Sequence, residues 1–290
     1  MIEEGKILTP DYMEQLKDRL VTKDYKEEWI PILRYRKEDG DSVPLVAKKE
    51  LLVIAGEKKA RKSLLISSIC ASRFVESQRK RVLGFELEMD QPILYFDTEM
   101  SMARIAKNRK KYLKVAGFDW DKDDPNFIQY SLKGYSPHTM VQMIRGTIEK
   151  MVRDDNPPGV VIIDQIADLL PGRDENDKLA ASDIIDHIND WVDLSGALVI
   201  ASIHLNRANG LSNGKMGSLI DQKADCQLKL TLVDKTWETE LSQPLAREER
   251  MPDLIFSQET EIDRGGYHHY GLPILIDEKI NLNNKKYFTH

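Results

Sequence analysis

One stretch, LLVIAGEKKARKSLLISSICASRF at residues 51–74, constrains the fold more than any other part of the chain. It opens with the apolar run Leu51–Ala55, which predicts a β-strand buried on both faces. Gly56 ends the run, and an apolar helix is predicted from Lys62 to Phe74. A buried strand that is joined to a helix by a short glycine-led loop predicts a layered α/β domain.

The loop between this strand and this helix has the arrangement of a phosphate-binding P-loop. Backbone N–H groups of such a loop, and of the helix N-terminus after it, surround an anionic β-phosphate. The Lys62 ammonium would neutralise β- and γ-phosphate oxygens, and the Ser63 hydroxyl would ligate Mg²⁺. The residues predicted to bind ATP are Gly56, Glu57, Lys58, Lys59, Ala60, Arg61, Lys62, Ser63 and Leu64.

Arg61 departs from the pattern G-x-x-x-x-G-K-[ST], which has a glycine directly before the lysine. A glycine there tolerates unusual backbone dihedrals and close approach of a phosphate, whereas an arginine carries a Cβ and a long side chain. Either the loop accepts this strain or its handling of nucleotide is altered. For the stretch taken alone, a basic turn between a core strand and a core helix is the alternative interpretation.

Two further apolar strands end in carboxylates. Ile93–Asp97 runs into Glu99, and four β-branched residues in GVVIIDQIADLL run into Asp164. Ligands of open α/β sheets bind at the carboxyl ends of the strands, so Glu99 is a candidate for polarising the water that attacks a γ-phosphate. Asp164 is a candidate for holding Mg²⁺ through its water shell. The alternative for Glu99 is a capping role at the helix that begins near Ser101.

A polar residue also ends the buried strand ALVIASIH at residues 197–204. The imidazole of His204, at the tip of a strand beside the Asp164 strand, could touch the γ-phosphate and report its presence. The alternative is a histidine that merely ends a strand. The Gly/Asn-rich segment that follows, with Arg207, Lys215 and Lys223, is predicted to be a long polar loop, and such loops are usually functional or disordered.

The remaining patterns complete an α/β fold with a mostly parallel twisted sheet that is flanked by helices. Helices are predicted at 101–116, at 137–153 and before Gly196, where Leu179, Ile184, Ile188 and Trp191 recur at helical spacing. A strand at 226–233 and later β-hairpins are predicted to extend the sheet. We expect residues 1–45 to form an arm, with a short helix at 11–20, that packs on its own domain or on a neighbouring subunit. Residues 46–290 are expected to form the main domain.

Composition limits the classes of function. The net charge of −6 argues against coating of nucleic acid by bulk attraction, although a local basic channel is compatible with it. No apolar run approaches the roughly 20 residues of a membrane span, and the N-terminus lacks the apolar core of a signal peptide. We therefore expect a cytoplasmic protein without a membrane partner.

Cys70 and Cys226 are predicted to be reduced core residues, and the pair His268 and His269 has no third ligand for a metal.

With these segments in order, the chain resembles the RecA-like P-loop ATPases, and most closely the RepA-type hexameric helicases of plasmids and mobile elements. The resemblance rests on LLVIAGEKKARKS, ILYFDTEMS, VVIIDQIADLL, ALVIASIHLN and GKMGSLIDQKAD, and it spans roughly residues 45–235. P-loops of this group sometimes have Lys-Ser-Arg-Lys-Thr, so an arginine at position 61 has parallels there. A glutamate at the end of the strand after LYFDT distinguishes RecA-like enzymes from other P-loop classes, and it corresponds to Glu99.

The resemblance implies that Lys62 and Ser63 bind phosphate and Mg²⁺, that Glu99 activates water, that Asp164 supports the metal and that His204 senses the γ-phosphate. Segment 206–217, with Arg207 and Lys215, would correspond to the loop that faces single-stranded DNA in the channel of a ring. Members of the group form rings, hexamers in the RepA type, in which one subunit lends an arginine to the nucleotide of the next. Arg247 and Arg250 lie in the corresponding region of this chain.

The resemblance leaves three classes of function open, because a shared fold does not by itself transfer function. A DNA helicase or translocase would form a ring, bind single strands and hydrolyse ATP faster with DNA. A regulatory or helicase-loading ATPase would respond little to DNA. A degenerate scaffold, suggested by Arg61, would bind ATP without turnover.

Overall fold

The computed structural model describes residues 29–37, 40–74, 83–115, 125–173, 176–205, 212, 214–233, 238–262 and 268–279. The chain divides into two compact units, Met1–Ile30 and Pro31–His290. The predicted helix at 11–20 lies outside the described residues, as does Arg207. The elements described below all belong to the second unit.

Nine strands form the large sheet of this unit, in the order β12-β11-β10-β9-β3-β8-β7-β5-β6. The six strands at one end of this sheet, from β9 to the edge strand β6, run parallel: β3 (Leu51–Gly56), β5 (Ile93–Asp97), β6 (Phe127–Ser131), β7 (Val160–Asp164), β8 (Leu198–His204) and β9 (Cys226–Leu232). Three antiparallel strands continue the sheet beyond β9, namely β10 (Thr239–Ala246), β11 (Asp253–Ile262) and β12 (His268–Lys279). The strand order thus has the predicted mostly parallel sheet, and antiparallel strands follow β9 in the region predicted for the β-hairpins.

Helices cover both faces of the parallel part. They are α1 (Lys62–Ser72), α2 (Met102–Val115), α3 (Pro137–Arg153), α4 (Lys178–Ser195) and α5 (Gly214–Lys223). Alternate residues of each strand enter different cores: Leu52 and Ile54 of β3 share a core with α1, whereas Val53 shares one with α3, α4 and α5. Burial on both faces explains why the parallel strands are continuous apolar runs. None of the helices in the described ranges is long and apolar enough to cross a membrane.

Local sequence accounts for several of the helix ends. Ser136 accepts a hydrogen bond from the Thr139 backbone N–H at the start of α3, and Pro137 follows it as the first helical residue. Gly196 ends α4 in a left-handed conformation, as its position after the apolar repeat predicts.

Leu179, which the apolar spacing of α4 predicts to be buried, is instead 78% exposed, and the neighbouring Ala180 is buried. Cys70 and Cys226 are both buried and free, as predicted.

The predicted arm needs a correction at its C-terminal end. Residues 31–45, which the prediction assigned to the arm, lie mostly in β1 (Pro31–Arg36) and β2 (Ser42–Ala47). These strands and β4 (Phe85–Leu87) form a separate three-stranded antiparallel sheet whose buried residues share the α1 core. The sequence did not reveal this hairpin, because the burial of its residues depends on the pairing of β1 with β4, some 50 residues later in the chain.

The segment after β8 also differs from the prediction. Lys215 and Lys223 were assigned to a long polar loop, but both lie in α5. A β-bridge between Leu205 and Ser212 closes the base of the intervening segment. The Ser212 hydroxyl donates a hydrogen bond to Asp221 Oδ1 at 2.9 Å, and this bond links Ser212 to α5. Glycine-rich composition obscured a helix that packs its apolar side, including Met216 and Ile220, into the core.

Gly217 of α5 provides a test of this packing. A Cβ at Gly217 would lie 2.4 Å from the backbone carbon of Ser212, whereas a Cβ at Gly146 in α3 would meet nothing within 4 Å. We expect Gly217→Ala to lower the free energy of unfolding by about 1–3 kcal/mol through overpacking. Gly146→Ala, the matched control, should raise it by roughly 0.5–1 kcal/mol. Urea-induced unfolding measures both values, and equal stability of the two variants would contradict the described contact.

Candidate active site

The parallel register gathers the predicted site residues at one edge of the sheet. Gly56 at the end of β3 lies opposite His204 at the end of β8. Asp97 at the end of β5 lies opposite Asp164 at the end of β7. Because the four strands are neighbours, their carboxyl ends form one continuous edge, which is where ligands of open α/β sheets bind. The structure places Lys62, Glu99, Asp164 and His204 at this edge.

The P-loop backbone turns sharply between β3 and α1. Lys59 and Arg61 have positive φ angles of 70° and 67°. Gly56 is closely packed, since a Cβ there would lie 3.0 Å from Leu230 Cβ and 3.2 Å from Lys62 Cγ. Along the loop, Glu57 is half-buried, Lys58 and Lys59 are exposed, and Ala60 and Leu64 are buried. The loop therefore presents two cations to solvent while the loop itself is anchored in the core.

Arg61 occupies the left-handed conformation (φ 67°, ψ 29°) for which the P-loop pattern uses glycine. Its guanidinium Nη1 donates a hydrogen bond of 2.8 Å to the Thr239 hydroxyl, and Thr239, the first residue of β10, is fully buried. The backbone of the loop thus accommodates an arginine in a left-handed conformation. The contact with Thr239 offsets part of the cost of a left-handed non-glycine residue, about 1–2 kcal/mol.

Lys62 is buried, and its ammonium is held by three acceptors. Nζ donates to the carbonyl oxygens of Gly56 at 2.9 Å and Glu57 at 3.2 Å, and it lies 2.7 Å from His204 Nδ1. Burial lowers the pKa of Lys62 to about 8, and the nearby negative charges of Asp164 and Glu99 oppose that shift. A lysine held this way is rigid and poorly solvated, so it interacts strongly with any anion that reaches the loop.

His204 links Lys62 to Glu99. Since Lys62 donates to Nδ1, the ring proton is on Nε2, which lies 3.5 Å from Glu99 Oε1. This hydrogen bond from His204 is the main cause that lowers the pKa of Glu99. The Glu99 side chain is 54% exposed, so an ionised carboxylate faces solvent at the carboxyl edge. Glu99 is therefore placed to orient and polarise a water molecule at this edge. The helix that it would cap in the alternative interpretation begins at Met102.

Asp164 accepts hydrogen bonds from three hydroxyl groups. Ser63 Oγ and Tyr95 OH donate to Oδ2 at 2.7 and 2.8 Å, and Ser202 Oγ donates to Oδ1 at 2.6 Å. The sequence indicated Ser63 and Asp164 but missed Tyr95 and Ser202. Both interrupt strands that are otherwise apolar and buried on both faces, where a polar group needs a partner, and that pattern could have identified them.

Asp97 is almost fully buried beside Asp164. Its Oδ1 accepts hydrogen bonds from the backbone N–H groups of Glu99 at 3.0 Å and Met100 at 2.6 Å, which fixes the backbone that carries Glu99. Its Oδ2 is buried without a hydrogen bond from the described part of the chain. Burial, together with the charge of Asp164, raises the pKa of Asp97 to about 7.

Two predicted residues, Arg247 and Arg250, are not brought to this edge. Arg247 Nε pairs with Asp225 Oδ1 at 2.9 Å, and Asp225 Oδ2 accepts from the Leu51 backbone N–H at the amino end of β3. Arg247 therefore lies at the opposite edge of the sheet from the P-loop of its own chain. Arg250 is exposed and donates to the Pro244 carbonyl at 3.1 Å. Lys215 is exposed near the start of α5.

The residues at the carboxyl edge fit a nucleotide with Mg²⁺. Mg²⁺ prefers oxygen ligands and keeps several waters, so a protein offers it one or two oxygens beside substrate phosphates. Ser63 Oγ and Asp164 Oδ2, which are 2.7 Å apart, provide such a pair directly below the loop. No group of three or more His, Cys, Asp or Glu side chains suited to a metal occurs among the described residues.

The fold and this edge define a P-loop NTPase, with a parallel sheet flanked by helices and a lysine–serine loop paired with a strand-end aspartate. The profile of the family AAA_25, described as AAA domain, matches residues 15–210, more than half of the chain. The chain belongs to this family, and it is a P-loop ATPase, a class that binds nucleotide, usually with Mg²⁺. No curated protein matches the sequence. The strands from β9 onward lie beyond the matched range.

The strain at position 61 can be isolated by comparing two substitutions. Arg61→Gly and Arg61→Ala both remove the hydrogen bond to Thr239, but only glycine adopts the left-handed conformation at little cost. We expect Arg61→Gly to be more stable than Arg61→Ala by about 1 kcal/mol, measured by urea-induced unfolding. If the alanine variant were as stable as the glycine variant, the backbone of the loop would not be under the described constraint.

The raised pKa of Asp97 predicts a pH dependence of stability. The folded state keeps a proton that the unfolded chain releases near pH 4, so this contribution is full below about pH 4 and is lost as the pH rises through about 7. Between about pH 5 and pH 7, the free energy of unfolding should fall more steeply in the wild type than in Asp97→Asn. The difference cannot exceed one proton, about 1.4 kcal/mol per pH unit. Asp183→Asn, which removes an exposed carboxylate of α4, should keep the wild-type slope.

Proposed function

We propose that this protein is an ATP-hydrolysing RecA-like motor, a ring-forming DNA helicase or translocase of a plasmid, phage or mobile element. The observation that carries the proposal is the chain of contacts Lys62–His204–Glu99, which joins the P-loop to a strand-end glutamate. The glutamate follows the carboxyl end of β5, and β5 lies next to β7, the strand that ends in Asp164. In the resemblance to RepA-type helicases, a glutamate at this place activates the attacking water.

Lys62 would bind the β- and γ-phosphates of ATP. Its ammonium donates to two loop carbonyls and one imidazole, and phosphate oxygens, being charged acceptors, make stronger hydrogen bonds than these neutral ones. The backbone N–H groups at the start of α1 would surround the β-phosphate. Ser63 and Asp164 would hold Mg²⁺, which, when bound, neutralises developing charge on the phosphate oxygens.

Glu99 would orient and polarise the water that attacks the γ-phosphate, since its carboxylate is ionised and reaches solvent. His204 contacts both Lys62 and Glu99, so phosphate binding at Lys62 would change the hydrogen bonding of the imidazole and, through it, of Glu99. This is a concrete form of the γ-phosphate sensor that the sequence suggests. Arg61 does not argue for a degenerate scaffold, because its backbone has the conformation that glycine has in the P-loop pattern.

The proposals that the protein binds DNA and forms a ring rest on the resemblance and on the positions of two groups of basic residues. The segment that includes Arg207 follows Leu205, the neighbour of His204, and Leu205 forms a β-bridge with Ser212, so DNA contacts in this segment would be coupled to the sensor. Lys215, shortly after Ser212 in the chain, is exposed. Arg247 and Arg250 are exposed, as an arginine that acts on the nucleotide of a neighbouring subunit must be.

The proposal is tested by measuring ATP hydrolysis of the purified full chain with and without single-stranded DNA. We expect DNA to stimulate turnover and Glu99→Gln to lower kcat by about 10²–10⁴-fold, because it removes the general base while ATP binding persists. Glu88→Gln is the matched control, since Glu88 is an exposed glutamate that follows β4 in the small sheet. It should hydrolyse ATP at the wild-type rate.

Other outcomes would redirect the proposal. Turnover that ignores DNA, but still depends on Glu99, would favour a regulatory or helicase-loading ATPase. Bound ATP without turnover in the wild type would favour the scaffold. Equal loss of activity in Glu99→Gln and Glu88→Gln would overturn the role of Glu99.

A further inference from the structure

Asp164 is a buried carboxylate whose hydrogen bonds come from three different elements. The residue is only 5% exposed, yet it lies beside the solvent-facing edge where Lys62 and Glu99 meet. Burial of an ionised carboxylate is costly unless hydrogen bonds stabilise it. Ser63 from α1, Tyr95 from β5 and Ser202 from β8 supply them.

The three donors differ in how firmly they are held. Ser63 lies in the first turn of α1, next to the loop, and its oxygen would turn to a cation if one bound. Tyr95 and Ser202 stand on the two strands that flank β7. Ser202 is fully buried and follows Ala201, which pairs with Ile163, so it lies directly beside Asp164 in the sheet. The Tyr95 ring is packed in the α1 core and reaches along β5 to Oδ2.

Hydroxyl donors also preserve the charge of the carboxylate. An arginine or lysine paired with Asp164 would cancel much of the negative charge that attracts a divalent cation. Neutral O–H groups satisfy the oxygens and fix the plane of the carboxylate without adding positive charge. The arrangement of one hydroxyl on each side of β7 thus restrains the orientation of Asp164 and leaves its charge available.

We propose that Tyr95 and Ser202 are positioning residues that orient Asp164 toward the Mg²⁺ of a bound nucleotide. Neither residue touches nucleotide or metal; each acts through Asp164. Such outer partners of a metal ligand change metal affinity by about 10–100-fold when they are removed. This inference rests on the proposed nucleotide binding, and its effect is confined to the part of that binding that depends on the metal.

The test compares the affinity of the full chain for a non-hydrolysable ATP analogue in Mg²⁺ and in EDTA, by titration calorimetry. Tyr95→Phe removes one hydroxyl and keeps the ring in the core. We expect it to reduce the gain in affinity on adding Mg²⁺ by about tenfold and to leave the affinity in EDTA unchanged. Ser202→Ala should have the same effect, whereas Ser202→Thr, which keeps a hydroxyl, should restore the Mg²⁺ dependence.

Matched controls are available for both changes. Tyr130→Phe removes the hydroxyl of a half-exposed tyrosine that stacks on Phe96. Ser68→Ala removes a buried hydroxyl that donates to the Leu64 carbonyl within α1. Both should keep the wild-type gain on adding Mg²⁺.

The outcomes separate this inference from the proposed function. If the wild type binds the analogue in neither condition, nucleotide binding itself fails. If the wild type binds the analogue, and Tyr95→Phe and Ser202→Ala both keep the wild-type gain in affinity on adding Mg²⁺, the positioning role is wrong. An equal loss of affinity in Mg²⁺ and in EDTA would also overturn it, because that pattern indicates a general structural role.

Discussion

The register of four parallel strands is the constraint on which the site depends. Gly56 lies opposite His204, Asp97 lies opposite Asp164, and Asp164 lies beside Ser202, so the register sets where each polar residue stands along the carboxyl edge. A shift of one residue in any of these strands would turn its terminal side chain to the other face. The apolar residues before each terminus, which are buried on both faces, hold that register in place. The core and the site are therefore fixed by the same hydrogen-bond ladder.

Burial at this edge shifts the pKa values of two ionisable groups in opposite directions. It lowers the pKa of Lys62 to about 8 and raises that of Asp97 to about 7, because a poorly solvated environment disfavours either charge. The other two carboxyl groups have different partners: hydroxyl groups donate hydrogen bonds to Asp164, and the hydrogen bond from His204 lowers the pKa of Glu99. The edge thus brings a lysine and several carboxyl groups within a few ångströms of one another, and this arrangement is suited to phosphate chemistry.

Arg61 shows how the loop keeps its geometry without the usual glycine. Its backbone is left-handed, and its guanidinium reaches Thr239 at the start of β10. The antiparallel strands beyond β9 therefore do more than widen the sheet, since one of them supports the loop from the side. The family profile ends at residue 210, before these strands begin. The support for the loop is consequently supplied by a part of the chain outside the matched range.

The sequence by itself determined the strand–loop–helix at residues 51–74, the parallel strands and the residues Lys62, Ser63, Glu99, Asp164 and His204. These follow from local patterns, namely apolar runs that end in polar residues. It did not determine the pairing of β1 and β2 with β4, the helix at Gly214–Lys223, or the contacts of Tyr95, Ser202 and Thr239. Each of these depends on residues tens of positions apart in the chain. Only the tertiary structure brings them together, because hydrogen bonds across a sheet are set by register and packing rather than by neighbours in sequence.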